Sequence, residues 1–259
     1  PGRAGDEVRA LQSPSVGEPM GTDALGRSLL WRCLLGGAVS LSVGAAAAVI
    51  AVGIGVTWGA VAGYAGGATD AWMMRVVDVL YGLPYILLVV LLTLALEPVL
   101  RGVVVEPLPG VVTLLVAIGA VSWLTMARVI RGQVLSLRGQ PFVEAARAYG
   151  AGPGRVLLRH VLPNLVGPIV VYATLTVPVA ILQESFLSFL GIGVKAPLPS
   201  WGNLAADGVA ELQSLATGSP LRWWLLVFPC GLLGATLLGL NLLGDALRER
   251  LDPRSGRRG

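Results

Sequence analysis

Five long stretches of this sequence contain no charged residue, and this feature limits the fold more than any other. They cover residues 33–69, 79–96, 107–127, 161–183 and 223–244. About 20 residues of helix cross the ~30 Å hydrocarbon core of a bilayer, so each stretch is roughly long enough for one crossing. Barrel strands would be shorter and would alternate in polarity, which these stretches do not do. The pattern predicts an all-α, multi-pass membrane protein, with helices near 36–62, 74–97, 108–130, 165–187 and 221–243.

The composition supports a membrane protein over a soluble one. Charged residues make up 13% of the chain and hydrophobic residues 54%, whereas a soluble domain has about 25% charged residues. The formal charge is +4, but the basic residues lie between apolar stretches, so the membrane explains them better than nucleic acid does. Neither Cys33 nor Cys230 belongs to a metal-binding or redox motif, and both are predicted to be packing residues.

The distribution of basic residues predicts the orientation, because cytoplasmic connections are enriched in Arg and Lys. Twelve of the nineteen lie on one side, in the connections 64–78 and 128–160 and in the tail from 245. The other side holds seven, in 1–35, 98–106 and 188–222. We therefore expect an extracytoplasmic N-terminal segment, a transmembrane domain and a cytoplasmic tail, at 1–35, 36–243 and 244–259. An external start without a signal peptide indicates a fragment whose first helix lies upstream.

Several kinds of chemistry are excluded by what the sequence lacks. The sole lysine, Lys195, is followed by alanine, so no Walker A loop exists. The single histidine, His160, excludes multi-histidine zinc sites, and no GxSxG motif occurs. We expect no catalytic residue, no metal site and no cofactor. The apolar stretches carry almost no ionisable side chain, which disfavours an ion-coupled carrier.

Two connections are long enough to carry function. The cytoplasmic one, 131–163, contains a helix pattern that begins at Pro141 and ends at Gly150. A second short helix is predicted from Pro153, stopping before Pro163. The external one, 188–220, is rich in Gly, Pro and Ser and is predicted to be a loop with one short helix near 203–214.

The first cytoplasmic helix has one face of apolar or small residues at helical spacing, formed by Phe142, Ala145, Ala146 and Tyr149. Glu144 lies in its first turn, where the helix dipole favours an acid, and it can pair with Arg138 or Arg147. From the residues alone, this helix is either a rigid peg that enters a groove on a partner or an amphipathic helix on the membrane surface.

Small and polar residues inside the apolar stretches leave two interpretations each. A four-residue repeat, Gly55, Gly59, Gly63 and Gly67, permits close helix approach, either within this chain or against a second membrane subunit. Polar side chains of the fifth predicted helix either line a pathway or bond between helices; they are Tyr172, Thr174, Thr176 and Gln183. Glu184 at its outer end either contributes to a gate or holds the loop 191–202. Three tryptophans fit an interfacial belt: Trp201, Trp223 and Trp224.

The spacing in the cytoplasmic segment resembles a known signature. Glu144-Ala145-Ala146, three residues, Gly150, nine residues and a terminal Leu162-Pro163 are similar to the EAA motif of ABC importer permeases. The run 159–164, with His160 at a generic apolar position, resembles the variant of dipeptide, oligopeptide and nickel importers. Further similarities follow in family order at 21–27, 62–78, 184–193, 199–202 and 241–254.

The resemblance implies the second permease subunit of such an importer, with the type I fold, five helices present and the usual first one missing. It implies an inner-membrane location and, as partners, a homologous second permease, two ATP-binding subunits and an extracytoplasmic binding protein. The expected cargo is a short peptide or a related solute. The binding-protein loop would include Pro199, Ser200, Trp201 and Gly202. The ATPase would contact Phe142, Val143, Glu144, Ala145, Ala146, Arg147, Tyr149, Gly150, Arg155, Arg159, His160, Leu162 and Pro163.

Two other functions remain open from the sequence. The first is a secondary transporter or channel that acts without an ATPase, which the scarcity of intramembrane charge opposes. The second is a membrane scaffold that transports nothing and therefore needs no coupling helix.

Overall fold

The computed structural model of the chain describes residues 10–105, 108–213 and 220–251. Apart from an isolated bridge between Thr22 and Ser28, the regular structure within these ranges is helical. The helices are α1 (Leu29–Ala65), α2 (Gly67–Tyr81), α3 (Tyr85–Arg101), α4 (Pro109–Arg138), α5 (Pro141–Ala148), α6 (Pro153–Val156), a π-helical turn (Leu157–Val161), a 3-10 turn (Leu162–Leu165), α7 (Val166–Phe189), α8 (Trp201–Gln213) and α9 (Trp224–Leu251).

Four helical runs of the described residues are long and apolar enough to cross a membrane by themselves. They are α1, α4, the run Pro153–Phe189 and α9. A fifth crossing is formed if α2 and α3 are counted together, although the two helices are bent by 90°. The all-α, multi-pass prediction is therefore confirmed, and the short external helix expected near 203–214 is present as α8.

The single helix predicted at 74–97 is wrong, because the chain breaks between α2 and α3. Pro84 has no N–H to donate to the preceding turn, and its ring disfavours the helical conformation at Leu83. Gly82 ends α2 with its N–H directed at the carbonyl oxygen of Asp78, 3.0 Å away. The hydrophobic pattern runs through this break without interruption, so the pattern alone did not reveal it.

The predicted stop before Pro163 is also wrong, because the helical backbone continues from α6 into α7. It does so through the π-helical and 3-10 turns, and Pro163 lies at the start of the 3-10 turn. A proline is tolerated in a first turn, where its missing N–H has no partner to lose. The side-chain amide of Asn164 donates to the carbonyl oxygen of His160 at 2.7 Å, which satisfies one carbonyl of the irregular turn.

The chain divides into two compact units, and each is described separately. The first comprises Pro1–Gly44, Leu94–Leu115 and Ile181–Gly239. The second comprises Ala45–Thr93, Val116–Ala180 and Leu240–Gly259. The three connections predicted to be external belong to the first unit, and those predicted to be cytoplasmic belong to the second.

The first unit has a core where the beginnings of α1 and α9 meet α8. Its buried residues are Leu29, Cys33, Leu204, Trp224 and Leu225. Cys33 therefore packs as predicted, whereas Cys230 is exposed.

A charged turn precedes α1 in this unit. One carboxylate oxygen of Asp23 accepts the backbone N–H groups of Leu25 and Arg27 at 2.9 and 2.8 Å. The other accepts the guanidinium groups of Arg27 and Arg32, both at 2.8 Å. These bonds satisfy a buried carboxylate and fix the direction in which α1 starts.

The second unit depends on close approach between α1 and α4. A Cβ on Gly55 would lie 2.5 Å from the Cβ of Met126, and one on Gly59 would overlap the carbonyl oxygen of Ala127. A Cβ on Gly63 would lie 2.9 Å from the carbonyl oxygen of Arg131. Three glycines of the repeat therefore lie directly against the backbone or side chains of α4.

Gly67 does not share this contact, contrary to the expectation for the four-residue repeat. It begins α2, and a Cβ there would have no heavy atom within 4 Å. The buried core below the α1–α4 contact consists of Ala60, Met126, Ile130, Val134, Val143, Val156, Val161 and Leu165.

We predict that Gly59→Ala lowers the thermal stability of the purified protein, because overpacking a tight contact costs about 1–3 kcal/mol. The midpoint of thermal unfolding, followed by tryptophan fluorescence in detergent, should fall by several degrees. Gly53→Ala is the matched control, because a Cβ at Gly53 of the same helix meets nothing within 4 Å. Equal midpoints for the two variants would contradict the close approach of α1 and α4.

Candidate functional site

The short helix α5 is followed by a glycine whose backbone lies in the left-handed region. Gly150 has φ +80°. Its N–H donates to the carbonyl oxygen of Arg147 at 2.9 Å, and the N–H of Ala151 donates to that of Ala146 at 3.1 Å. These two bonds form a Schellman motif, in which glycine is favoured because it has no Cβ. Pro141 is the first residue of the helix, so both predicted ends of α5 are confirmed.

One face of α5 is fixed in the core of the second unit. Val143 is fully buried, in one cluster with Val156, Val161 and Leu165, and Ala146 packs against this cluster half-buried. The α5 helix is thus attached to the start of the run that becomes α7. A rigid attachment follows, because the cluster joins residues on both sides of the intervening loop.

The opposite face of α5 is uncovered. Phe142 is 40% exposed and Tyr149 is 93% exposed, and Ala145 is exposed between them. The predicted four-residue face is therefore divided, since Ala146 points toward the core. What remains outside is an aromatic pair around a small residue, a surface with room for a partner to approach.

The charges around α5 are arranged differently from the prediction. Glu144 is exposed, and within the described ranges it forms no ion pair with Arg138 or Arg147. Arg138 donates instead to the carbonyl oxygens of Gly63 and Tyr64, at 3.3 and 3.4 Å. These carbonyls belong to the last turn of α1, which lacks helical donors. The guanidinium of Arg147 lies 5.4 Å from the centre of the Tyr64 ring, so two arginines contact the end of α1.

The rest of the predicted coupling segment follows α5 in the same unit. Arg155, Arg159 and Pro163 are exposed, and His160 and Leu162 are half-buried. The structure therefore brings the whole predicted set together in the second unit, with its charged members at the surface.

Two ion pairs join α2 to α4 in this unit. Arg131 donates to both carboxylate oxygens of Asp70, at 2.5 and 2.7 Å, a bidentate geometry that gives strong, directional bonds. Arg128 donates to Asp78 at 2.7 Å and lies 4.0 Å from the centre of the Tyr81 ring. These contacts hold α2 beside the part of α4 that leads into α5.

The polar residues of α7 are separated by the structure. The hydroxyl groups of Thr174 and Thr176 donate to their own helix, to the carbonyl oxygens of Val170 and Tyr172 at 2.8 and 2.7 Å. The bonds between helices that were one of the two expectations are therefore not formed by these hydroxyls. Tyr172 is 37% exposed and Gln183 is half-buried.

Glu184 is fully buried in the first unit and accepts hydrogen bonds from three serines. The donors are Ser40 at 2.6 Å, Ser188 at 2.7 Å and Ser185 at 3.3 Å. The Ser188 oxygen also accepts the backbone N–H of Val194 at 2.9 Å. Of the two roles expected for Glu184, this geometry matches that of holding the loop 191–202.

The motif expected to face a binding protein lies inside the first unit. Pro199, Ser200, Trp201 and Gly202 are all buried. The indole N–H of Trp201 donates to the carbonyl oxygen of Cys33 at 3.0 Å, and a Cβ on Gly202 would overlap the backbone of Ser185. These residues fix α8 and offer no open docking surface.

Two of the three tryptophans predicted for an interfacial belt are buried within the chain. Trp201 is 5% exposed and Trp224 6% exposed, whereas Trp223 is 45% exposed. A large apolar side chain is buried where a neighbouring backbone packs close enough to cover it. The sequence pattern of an interfacial belt does not predict such packing.

The family described as "Binding-protein-dependent transport system inner membrane component" matches residues 55–257. The chain belongs to this family. It is 46% identical over 241 residues to the dipeptide transport system permease protein DppC of Bacillus subtilis, covering 93% of this chain and 70% of that protein. It is 45% identical over 238 residues to the oligopeptide transport system permease protein OppC of Escherichia coli, covering 92% and 73%.

A solved structure has the same fold. It is a chain of the MetNI methionine ABC transporter in inward-facing conformations, with TM-score 0.65 and 18% identity, covering 86% of this chain and 97% of that one. As a binding-protein-dependent transport system component, the chain is a multi-pass inner-membrane protein. Membership of the family thus confirms the resemblance drawn from the EAA spacing.

One residue of the buried polar cluster around Glu184 was not predicted from the sequence. Ser40 lies 144 positions from Glu184 along the chain and donates its shortest hydrogen bond. The available signal was a hydroxyl in an otherwise apolar stretch, but Ser42, two residues later, donates to the carbonyl oxygen of Ala38 on an exposed face. Sequence alone does not distinguish the two serines.

We predict that Gly150→Ala loosens the end of α5. An L-residue in the left-handed region costs roughly 1–2 kcal/mol, so hydrogen exchange at the amides of positions 150 and 151 should become about tenfold faster. Gly154→Ala is the control, because Gly154 has no heavy atom within 4 Å of a Cβ and no left-handed φ. Unchanged exchange in Gly150→Ala would contradict the Schellman motif.

We also predict that Ser188→Ala destabilises the first unit. The change leaves the buried N–H of Val194 without its acceptor and removes one donor from Glu184, a loss of about 1–3 kcal/mol. The unfolding midpoint should fall, and residues 191–199 should be cleaved faster by protease. Ser42→Ala, on an exposed face of α1, should change neither. A Ser188→Ala protein as stable as Ser42→Ala would refute the loop-holding role.

Proposed function

We propose that this chain is the permease subunit of an ATP-driven importer, and that an external binding protein delivers the solute to it. The relatives DppC and OppC are named for dipeptide and oligopeptide transport, which supports a short peptide or a related solute. In this proposal the chain forms one half of the translocation pathway, and a homologous second permease forms the other half.

The observation that carries the proposal is the combination of a fixed and an open face on α5. Val143 is fully buried, whereas Tyr149 is 93% exposed. An uncovered aromatic side chain on a rigid element is typical of a surface that a partner protein covers. The exposed alanine, Ala145, permits close approach of that partner.

The partner that we assign to this face is one of two ATP-binding subunits. This chain has no Walker A loop, so ATP hydrolysis takes place on those separate subunits and the chain is not an enzyme by itself. Because α5 lies between α4 and the run Pro153–Phe189, displacement of α5 by an ATPase acts on both. That is the coupling route of the proposed mechanism, a hinge-type change at two helices.

The second permease and the binding protein contact other parts of the chain. We place the pathway on the exposed side of α7 near Tyr172. We assign Glu184 to holding the loop 191–202 and not to a gate. We place the binding protein on the exposed residues of the external segment, such as Lys195 and Asp207, in place of the buried 199–202 motif. Residues 10–35 face the outside and residues 244–251 the cytoplasm in this proposal; the rest of the predicted segments 1–35 and 244–259 lies outside the described residues.

We predict that Ala145→Arg separates the chain from its ATPase without unfolding it. The new side chain occupies the space that the small exposed residue leaves for the partner, so ATPase retained on affinity-purified chain should fall at least tenfold, and uptake should fall with it. Ala210→Arg is the matched control for ATPase retention, since Ala210 is an exposed alanine of α8 and lies in the predicted external segment, on a different helix from the α5 face.

The same measurement separates the alternatives. Full ATPase retention by Ala145→Arg would overturn the docking face on α5. Uptake by the native chain that persists when ATP hydrolysis is blocked would favour a secondary transporter or channel. A native chain that retains no ATPase and supports no uptake would favour a membrane scaffold.

A further inference from the structure

The helix α2 has a buried face and an exposed face. The exposed face carries large apolar side chains, which is unusual for a surface in contact with water. Asp70, Met74 and Val77 are buried, and Arg131 pairs with Asp70 on that side. The exposed stripe contains Trp72, Arg75 and Val79 at helical spacing; Trp72 is 68% and Val79 63% exposed. A large indole and a valine around a cation are typical of a helix that lies in the membrane interface.

The charge on the exposed face of α2 is not neutralised by its neighbours. Within the described residues Arg75 is exposed and forms no ion pair. The acid one turn further on, Asp78, is already paired with Arg128 at 2.7 Å. The stripe therefore presents one uncompensated positive charge beside two apolar side chains.

The direction of α2 agrees with an interfacial position. It is bent by 90° from α3, whose 17 residues span about 26 Å as a helix. If α3 crosses the bilayer, α2 lies along its surface. The connection 64–78 belongs to the side that holds twelve of the nineteen basic residues, so this surface is the cytoplasmic one.

We propose that α2 lies in the cytoplasmic interface of the bilayer and that Arg75 binds the phosphate of an anionic phospholipid there. Trp72 occupies the headgroup level, where indole rings are favoured. Val79 faces the acyl boundary, and the Arg75 side chain extends to the phosphate while its methylene groups remain in apolar surroundings. A single basic residue near an anionic surface gives about a fivefold preference for charged lipid.

A cavity at the break between α2 and α3 suits the acyl chain of such a lipid. Its volume is about 180 Å³, and the residues around it include Leu80, Leu83, Leu88, Val121 and Leu124. These walls are mostly apolar and belong to the same unit as α2. In the proposal, part of an acyl chain of the bound lipid occupies this cavity.

The position of Trp72 is tested by quenching of tryptophan fluorescence. The assembled transporter is reconstituted in nanodiscs of lipids brominated either near the headgroup end or near the methyl end of the acyl chains. Trp72→Phe should reduce the emission that the brominated lipids quench. The reduction should be larger with bromines near the headgroup end than with bromines near the methyl end. Trp123→Phe is the control, because Trp123 is 9% exposed and its loss should leave the quenchable emission in place.

The role of Arg75 is tested by exchanging the lipid headgroup. Brominated phosphatidylglycerol should quench Trp72 more strongly than brominated phosphatidylcholine, with about a fivefold preference. Arg75→Gln should abolish this preference, whereas Arg250→Gln, at an exposed arginine of α9, should preserve it.

Two results would overturn the proposal. If Trp72→Phe leaves the quenched emission unchanged, the face is covered by another subunit or faces water, and α2 does not contact lipid. If Arg75→Gln keeps the full headgroup preference, Arg75 is not the phosphate ligand. Neither result bears on ATPase docking at α5, which is measured separately.

Discussion

Close approach of α1 and α4 is the contact on which the second unit depends. In lipid, apolar side chains gain little by leaving one apolar medium for another, so helix association relies on packing and interhelical bonds. Gly59 removes the side chain that would overlap α4. With the backbones this close, Arg138 reaches the last carbonyls of α1 and Arg131, on the same helix, pairs with Asp70. The position from which α5 leaves α4 follows from these contacts.

This arrangement explains how a helix of eight residues can be rigid, as the proposed coupling to an ATPase requires. Isolated helices of that length are unstable in water, because nucleation is costly and few bonds form. Here Val143 is buried in the core, and Gly150 allows the closing bonds of the C-terminus. Arg147 also contacts Tyr64 at the end of α1. Displacement of the open face therefore acts on several helices, and α5 does not simply bend at its own ends.

Local features of this protein were predictable from the sequence, and distant contacts were not. Pro141 and Gly150 define α5 through their own backbone preferences, so its ends were predicted correctly. The break at Pro84 was missed because the charge-free stretch continues through it. The bond between Ser40 and Glu184 depends on helix packing across 144 positions. The burial of the 199–202 motif was not predicted because a Gly- and Pro-rich composition is typical of exposed loops, whereas here it permits close packing with Ser185.

The distribution of charge separates structural groups from those available to partners. Each carboxylate that is buried in the described part of the chain is satisfied within its own unit: Asp23 by arginines and backbone, Asp70 by Arg131, and Glu184 by serines. An unpaired buried charge would be costly, so these three groups are occupied in holding the fold. Among the described residues, Glu144 and Arg75 are exposed and form no ion pair. They lie on α5 and on α2, where we place the ATPase and the anionic lipid. Their exposure leaves both charges available for the contacts proposed there.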